Sequence, residues 1–327
     1  MLRNATLRYT LVLASIVCCT ASVQAQDYPV RPVRMIMPYA PGGVPTLVGN
    51  LLVEHMGPLL GQTLFLDHRT GGAGVPAVTA VTGSPADGYT VGLFDSSQWG
   101  VAPAMQPDLA YDVLRDLTPV ALIYSSPLTI AIFETVPARD MKEFIALVKS
   151  RPGEFKYGTP FGTIHHMAVE TLKAELGLNL PMIPYKGAAE TIPAMLRGDV
   201  QMMIININAI RAHVESGKMK VLAVTSGTRV KALPEVPTIA EAAGLPNFHF
   251  AGDSGLFVRA GTPRPVIDKL GAALAKAIAM PDVITRVRQS GVELTPAGPE
   301  KLVEMIREDR KRYVLAAQRA GQSPDKR

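Results

Sequence analysis

Met35-Ile36-Met37-Pro38-Tyr39-Ala40-Pro41-Gly42-Gly43 decides the fold of this chain. An apolar strand over residues 33–37 runs into a Pro/Gly turn. Leu47, Val48, Leu51, Leu52 and Met56 then recur at helical spacing, which predicts a helix from about Thr46 to Pro58 and Gly61. Such a strand–turn–helix unit presents unpaired backbone N–H groups at a helix N-terminus, where they can hold an anion.

The same alternation continues outward. Residues 63–66 read as a second strand, Gly71-Gly72-Ala73-Gly74 as a turn, residues 75–81 as a short helix and 89–94 as a third strand. This βαβαβ order implies a parallel sheet covered by helices. A second unit follows, with strands at 128–133, 156–159, 182–184, 200–205 and 221–225 and helices at 141–149 and 166–176. After a short strand at 256–258 come three helical stretches, 265–280, 283–289 and 299–319, with no sheet of their own and expected to return to the first unit. The fold class is α/β, with two open, mostly parallel sheets and a ligand cleft at the carboxyl ends of their strands. The expected domains are 26–126 plus 252–327, and 127–251.

Residues 1–25 read as a secretory signal. Arg3 and Arg8 precede a short apolar stretch, Leu11 to Val17, and Val23-Gln24-Ala25 has cleavage-site spacing, so processing near Ala25 is expected. A retained anchor and a lipoprotein are the alternatives. Both cysteines, Cys18 and Cys19, lie in that segment, so the processed chain has neither thiol nor disulfide and depends on a sizeable core. The net charge of +5 falls by two, to +3, without Arg3 and Arg8. That suits small anionic ligands and is too diffuse for nucleic acid. No cofactor motif is present: neither glycine turn fits a P-loop or dinucleotide fingerprint.

Several residues could carry chemistry. Gly252-Asp253-Ser254-Gly255 resembles a serine-hydrolase loop but lacks its following glycine. His165, His166 and Glu170 fall short of a zinc ligand set, and no metal site is expected. The glycine turns are either ordinary positive-φ turns or ligand contacts. A second strand–turn–helix junction, Phe161-Gly162-Thr163 before the His166 helix, favours contact, because two facing helix N-termini could clamp a carboxylate. Trp99, the one tryptophan, either packs a hinge or lines the pocket.

Ordered blocks then point to a family. Tyr28-Pro29-Val30-Arg31-Pro32-Val33-Arg34 with Pro38 to Gly43, Ala86-Asp87-Gly88-Tyr89-Thr90, His166-Met167-Ala168, Pro184-Tyr185-Lys186-Gly187 and Leu233-Pro234-Glu235-Val236-Pro237-Thr238 resemble Bug-type (TctC-like) receptors. These are the periplasmic solute-binding receptors of tripartite tricarboxylate transporters. The resemblance implies a type II-like two-domain binding protein with crossover strands, not an enzyme, that closes on a small carboxylate. It implies an inner-membrane permease as partner, or a sensor kinase for a signalling module, and a monomer. Carried onto this chain, the ligand loops are Tyr39, Ala40, Pro41, Gly42, Gly43 and Thr46 on one side. On the other are Thr159, Phe161, Gly162, Thr163 and His166. Ser96, Ser97, Trp99, Tyr185, Lys186 and Gly187 are further wall candidates.

The family usually has an Asp where Thr46 stands, and often one at Gln201 and at Ile205. A His near Trp99 and a Trp near Asp253 are also wanting. Losing acids near the cleft removes partners for a ligand ammonium, and Trp99 adds a stacking surface. The expectation is a carboxylate without an amino group, aromatic or otherwise partly apolar.

Overall fold

Val33–Met37 forms β1, and its core positions are buried on both faces, as a parallel strand between helices must be. The structure, a computed structural model, describes residues 28–106, 108–230 and 233–321. The expected secretory signal, residues 1–25, lies outside them. Arg31–Arg327 forms one compact unit; of the other, Met1–Val30, residues 28–30 are described.

Helix α1 (Gly43–Leu60) starts three residues before the expected Thr46, because Gly42 and Gly43, with φ 105° and 78°, make the turn between them. It stops at Gly61 in the left-handed conformation. β2 (Leu64–His68), α2 (Val75–Thr82) and β3 (Thr90–Asp95) complete the first βαβαβ run. A π-type turn, Ser97–Val101, leads through Ala102–Met105 towards β4 (Leu117–Ser125). Next come β5 (Leu128–Phe133), α3 (Met141–Ser150), β6 (Tyr157–Thr159), α4 (Ile164–Leu176) and β7 (Met182–Pro184). They are followed by α5 (Ala188–Leu196), β8 (Met202–Asn206), α6 (Ile207–Glu215) and β9 (Met219–Val224). The chain ends with β10 (Ser254–Arg259), α7 (Arg264–Ile278), α8 (Pro281–Gln289), β11 (Glu293–Ala297) and α9 (Pro299–Arg319).

The strands form two sheets, ordered β11-β4-β10-β3-β1-β2 and β7-β6-β8-β5-β9. The α/β class stands, but the sheets are mixed rather than mostly parallel. β1 pairs in parallel with β2 and β3, and β6 with β7 and β8. The strands that carry the chain between sheets, β4, β5, β9 and β10, pair antiparallel because they enter from the opposite direction. The two crossings lie side by side: Pro127 bridges Ala251, and the Gly252 amide donates to the Ser126 carbonyl at 3.0 Å.

The C-terminal segment also departs from expectation. It supplies an edge strand, since β11 pairs with β4. Pro296 sits within β11, which an edge tolerates and a central strand would not. Helix α9 serves both sheets. Leu302 and Ile306 pack in the core above the first, with Trp99 and Phe257. Tyr313, Ala316 and Ala317 pack in the core of the second, with Val101 and Phe250.

Candidate functional site

The first strand–turn–helix loop is built from backbone. Ala40, Pro41, Gly42 and Gly43 are exposed, and Gly42 gives α1 no side-chain cap. Pro45 has no N–H to offer. Thr46, which stands where an acid is usual, instead donates its hydroxyl to the Gly42 carbonyl at 3.1 Å and supports the loop. His68 Nδ1 lies 2.6 Å from the Tyr39 carbonyl and pins the other end.

Tyr39 turns its hydroxyl inward to Asp95 Oδ2, at 2.6 Å. Asp95 closes β3, is buried, and also accepts the Ser97 amide at 2.8 Å on Oδ1. Burial pushes its carboxyl up, against the hydrogen bonds from Tyr39 and Ser97. The same burial, with Asp95 beside it, raises the Tyr39 hydroxyl well above its usual range. Sequence reading passed over Asp95, although a residue at the carboxyl end of a strand is where such sheets place their ligands.

The second loop carries side chains as well. Thr163 caps α4 by accepting the His166 amide at 3.4 Å, and its own hydroxyl donates to the Pro160 carbonyl at 2.8 Å. Gly162, with φ 73°, makes the turn. His166 is buried, which pushes its pKa down, and its Nδ1 accepts the Gly162 amide at 3.4 Å. Phe161 is 52% exposed, its ring centroid 4.9 Å from that of His166. The Thr159 hydroxyl is buried with no hydrogen-bond partner among the described residues.

The two loops meet at Ser97. Its Oγ accepts the Ile164 amide, in the first turn of α4, at 3.3 Å and lies 3.4 Å from the Tyr39 hydroxyl oxygen, to which it can donate because the Tyr39 proton is given to Asp95. Close by, a Cβ added to Gly162 would lie 3.1 Å from Ala73 Cβ, in the Gly71–Gly74 turn of the first sheet's side. At the crossing, Ser96 Oγ donates to the Ala251 carbonyl at 2.9 Å, and Asn206 Nδ2 donates to Ser126 Oγ at 2.5 Å. Asn206 also hydrogen-bonds His165, which burial pushes down to about 4 despite that bond. The structure thus adds Asp95, Ser126, His165 and Asn206 to the polar groups beside the loops.

Other expected residues lie elsewhere. Trp99 has no exposed surface, so the stacking reading gives way to the hinge one: Nε1 donates to Asp309 on α9 at 2.9 Å. Gly100 follows it because a Cβ there would fall 2.3 Å from the Tyr313 ring. Tyr185, Lys186 and Gly187 form a separate helix start, where Glu190 already accepts the Lys186 amide at 3.0 Å and the Tyr185 ring packs near Gly158. Gln201 lies just before β8, at the end opposite Asn206, and Ile205 is packed in an apolar core. Those two departures do not bear on ligand charge. Ser254 Oγ donates to the Phe94 carbonyl at 3.1 Å inside the sheet, and Glu170 pairs with Tyr157 and Lys173, so neither is poised for catalysis or metal binding.

Behind the loops, Asp253 is buried in the crossing, and burial pushes its carboxyl up to about 6, with Asp309 and Asp95 adding to the rise and Ser125 and Arg312 opposing it. Arg312 in turn pairs with Asp309.

Two α/β sheets joined by paired crossings, with two strand–turn–helix loops meeting at Ser97, define a periplasmic-type solute-binding protein. The chain belongs to the family described as the tripartite tricarboxylate transporter family receptor, TctC, which it matches over residues 49–321. It is similar to the protein BugT of Bordetella pertussis, at 31% identity over 92% of this chain and 93% of that one. MatC of Rhodopseudomonas palustris, solved with bound malate, is 30% identical with a TM-score of 0.82, covering 88% of this chain and 99% of that one. A second Rhodopseudomonas palustris protein, solved with adipate, is 28% identical with a TM-score of 0.84, covering 90% and 99%. Among the described residues no helix is long and apolar enough to cross a membrane.

Proposed function

We propose that this receptor captures a small carboxylate without an amino group by closing its two lobes, 26–126 plus 252–327 and 127–251, and delivers it to a membrane permease. Export through the signal at residues 1–25 would place it in the periplasm. The observation that carries the reading is Ser97 Oγ, which accepts the Ile164 amide of one loop and stands within hydrogen-bond distance of the Tyr39 hydroxyl of the other. An anion beside it would meet the exposed start of α1 from one side and the first turn of α4 from the other. Both contacts form only when the lobes are together, so the ligand shifts the population towards closure.

The relatives with malate and adipate support the carboxylate class. The absence of an amino group is argued from Asp95 and Thr46. Asp95 is committed to Tyr39 and Ser97, and Thr46 supports its own loop, so neither offers a free carboxylate to an ammonium. A thermal-shift screen of carboxylates tests this. A ligand at a hundredfold its dissociation constant adds about 2.7 kcal/mol of stability, enough to read as a rise in melting temperature. Malate, adipate or an aromatic acid should raise it while glutamate and aspartate do not; the reverse pattern defeats the non-amino reading. Loss of uptake in a deletion strain, with transcription intact, is expected of a permease partner; the opposite result favours a sensor kinase.

A further inference from the structure

Phe161 is unusual in being a large apolar side chain left half in solvent at the tip of a functional loop. Three observations give that exposure a use. Gly162 beside it lies close to Ala73 in the Gly71–Gly74 turn of the first sheet's side, so Phe161 stands near where the two sheets' loops meet. Its ring leans on His166, whose Nδ1 is held by the Gly162 amide and whose charge is suppressed by burial, so the surface behind Phe161 is a fixed, neutral aromatic one. In the other loop, the Tyr39 hydroxyl gives its proton to Asp95, so Asp95 is not a free carboxylate there.

We propose that Phe161, backed by His166, is a specificity-determining residue that selects a carboxylate with a flat apolar body over a flexible dicarboxylate. This rests on the carboxylate-receptor reading above. The carboxylate end is held by the paired helix starts, and the body of the ligand lies against the Phe161 ring in offset or edge-to-face contact. Such a contact adds to the simple burial of apolar area, and the two together make roughly a tenfold difference in affinity. The Trp99 ring, which sequence pattern offers for this role, is sealed in the core, and Phe161 takes its place.

Calorimetry on the purified receptor with benzoate and adipate as probes, for the wild type, Phe161→Ala and Phe161→Leu, tests the assignment. Benzoate should bind at least tenfold tighter than adipate to the wild type. Phe161→Ala should weaken benzoate about tenfold and leave adipate within twofold; Phe161→Leu, which keeps apolar area without the ring, should fall between. Unfolding curves without ligand should coincide, since the side chain is exposed. Tighter binding of adipate than benzoate by the wild type overturns the inference and leaves the receptor reading intact. So does an equal change, or none, for both probes in Phe161→Ala. Binding of neither probe, nor of malate, overturns the receptor reading and this inference with it.

Discussion

The segment Asp95–Val101 faces two ways, and the two sides are built from opposite materials. Towards the jaws it offers Asp95 and Ser97, small polar groups that hold hydrogen bonds from Tyr39 and α4. Towards α9 it offers Trp99 and Gly100, a large ring and the space for another, sealed against Asp309 and Tyr313. On the proposed function, the front is where hydrogen bonds are exchanged for a ligand. The back is close-packed around fully buried rings, with Asp309 holding the Trp99 indole N–H. A receptor that closes needs both: a seam that opens and a pivot that holds the lobes in register.

The back should therefore fail first. Trp99→Ala removes a fully buried ring and leaves Asp309 without its indole donor. Truncations of this kind cost about 3–5 kcal/mol. Denaturant unfolding should show that loss, and ligand affinity measured on the remaining folded protein should move much less. A loss of affinity without loss of stability would mean that Trp99 reaches the cleft in an open form.

Asp253 gives the back a pH signature. Its proton is held more tightly when folded, because burial lifts its pKa to about 6. Stability from this group is thus greatest below the unfolded value near 4 and falls as pH rises from there through about 6. The penalty is complete above pH 6. A tenfold tighter hold on a proton corresponds to about 1.4 kcal/mol, and the hold here is about a hundredfold tighter. Asp253→Asn should therefore stabilise the protein at pH 7 by about 2–3 kcal/mol and have little effect at pH 4. Asp95 and Asp309, also raised by burial, should leave a residual slope of the same sign. A stabilisation independent of pH would remove the electrostatic cause.

The front should respond in binding instead. Gly42 has φ 105° and ψ 159°, a region closed to other residues, yet a Cβ there meets nothing within 4 Å. Gly42→Ala thus perturbs conformation without a clash, at about 1–3 kcal/mol. Affinity should drop by one to two orders of magnitude while the melting temperature falls by only a few degrees. Equal affinity would show that the start of α1 is no jaw.

These contrasts also explain what could be read from the chain beforehand. β1, β5, β7 and α9 were legible to the residue, because apolar runs bounded by proline and glycine say where pairing stops. The two strand–turn–helix turns were legible for the same reason. β4 and β11 were not: Pro119 and Pro296 lie inside them, and both are tolerated because β11 is an edge strand and its pairing with β4 stops at Leu122, short of Pro119. Nor could spacing reveal which way Trp99 turns. Its partners, Asp309 and Tyr313, are some two hundred residues away, and the choice between pivot and pocket is made by tertiary packing. Asp95 was hidden for the opposite reason, being a single polar letter at the end of an apolar strand.

The smallest expected effect falls where the two materials meet. Thr159 lies at the end of β6, on the same face as Tyr157, whose hydroxyl reaches Glu170 of α4. Its side chain is therefore directed beneath the start of α4, and its hydroxyl is buried without a partner among the described residues. A buried hydroxyl left unpaired costs about 1–3 kcal/mol, and valine has the same branched shape. Thr159→Val should accordingly leave the unliganded protein as stable as before, or more stable by about 1 kcal/mol, in thermal or denaturant unfolding. If the hydroxyl is held in reserve for the carboxylate, the same change should weaken ligand binding about tenfold, since a hydrogen bond to a charged group is worth about 1.5–3 kcal/mol. Opposite signs in one variant, stability up and affinity down, are what a ligand-reserved group must give and what a merely structural one cannot. If affinity stays level, the proposed grip of the second loop is by backbone alone, as proposed for the first, and the difference between them reduces to Phe161.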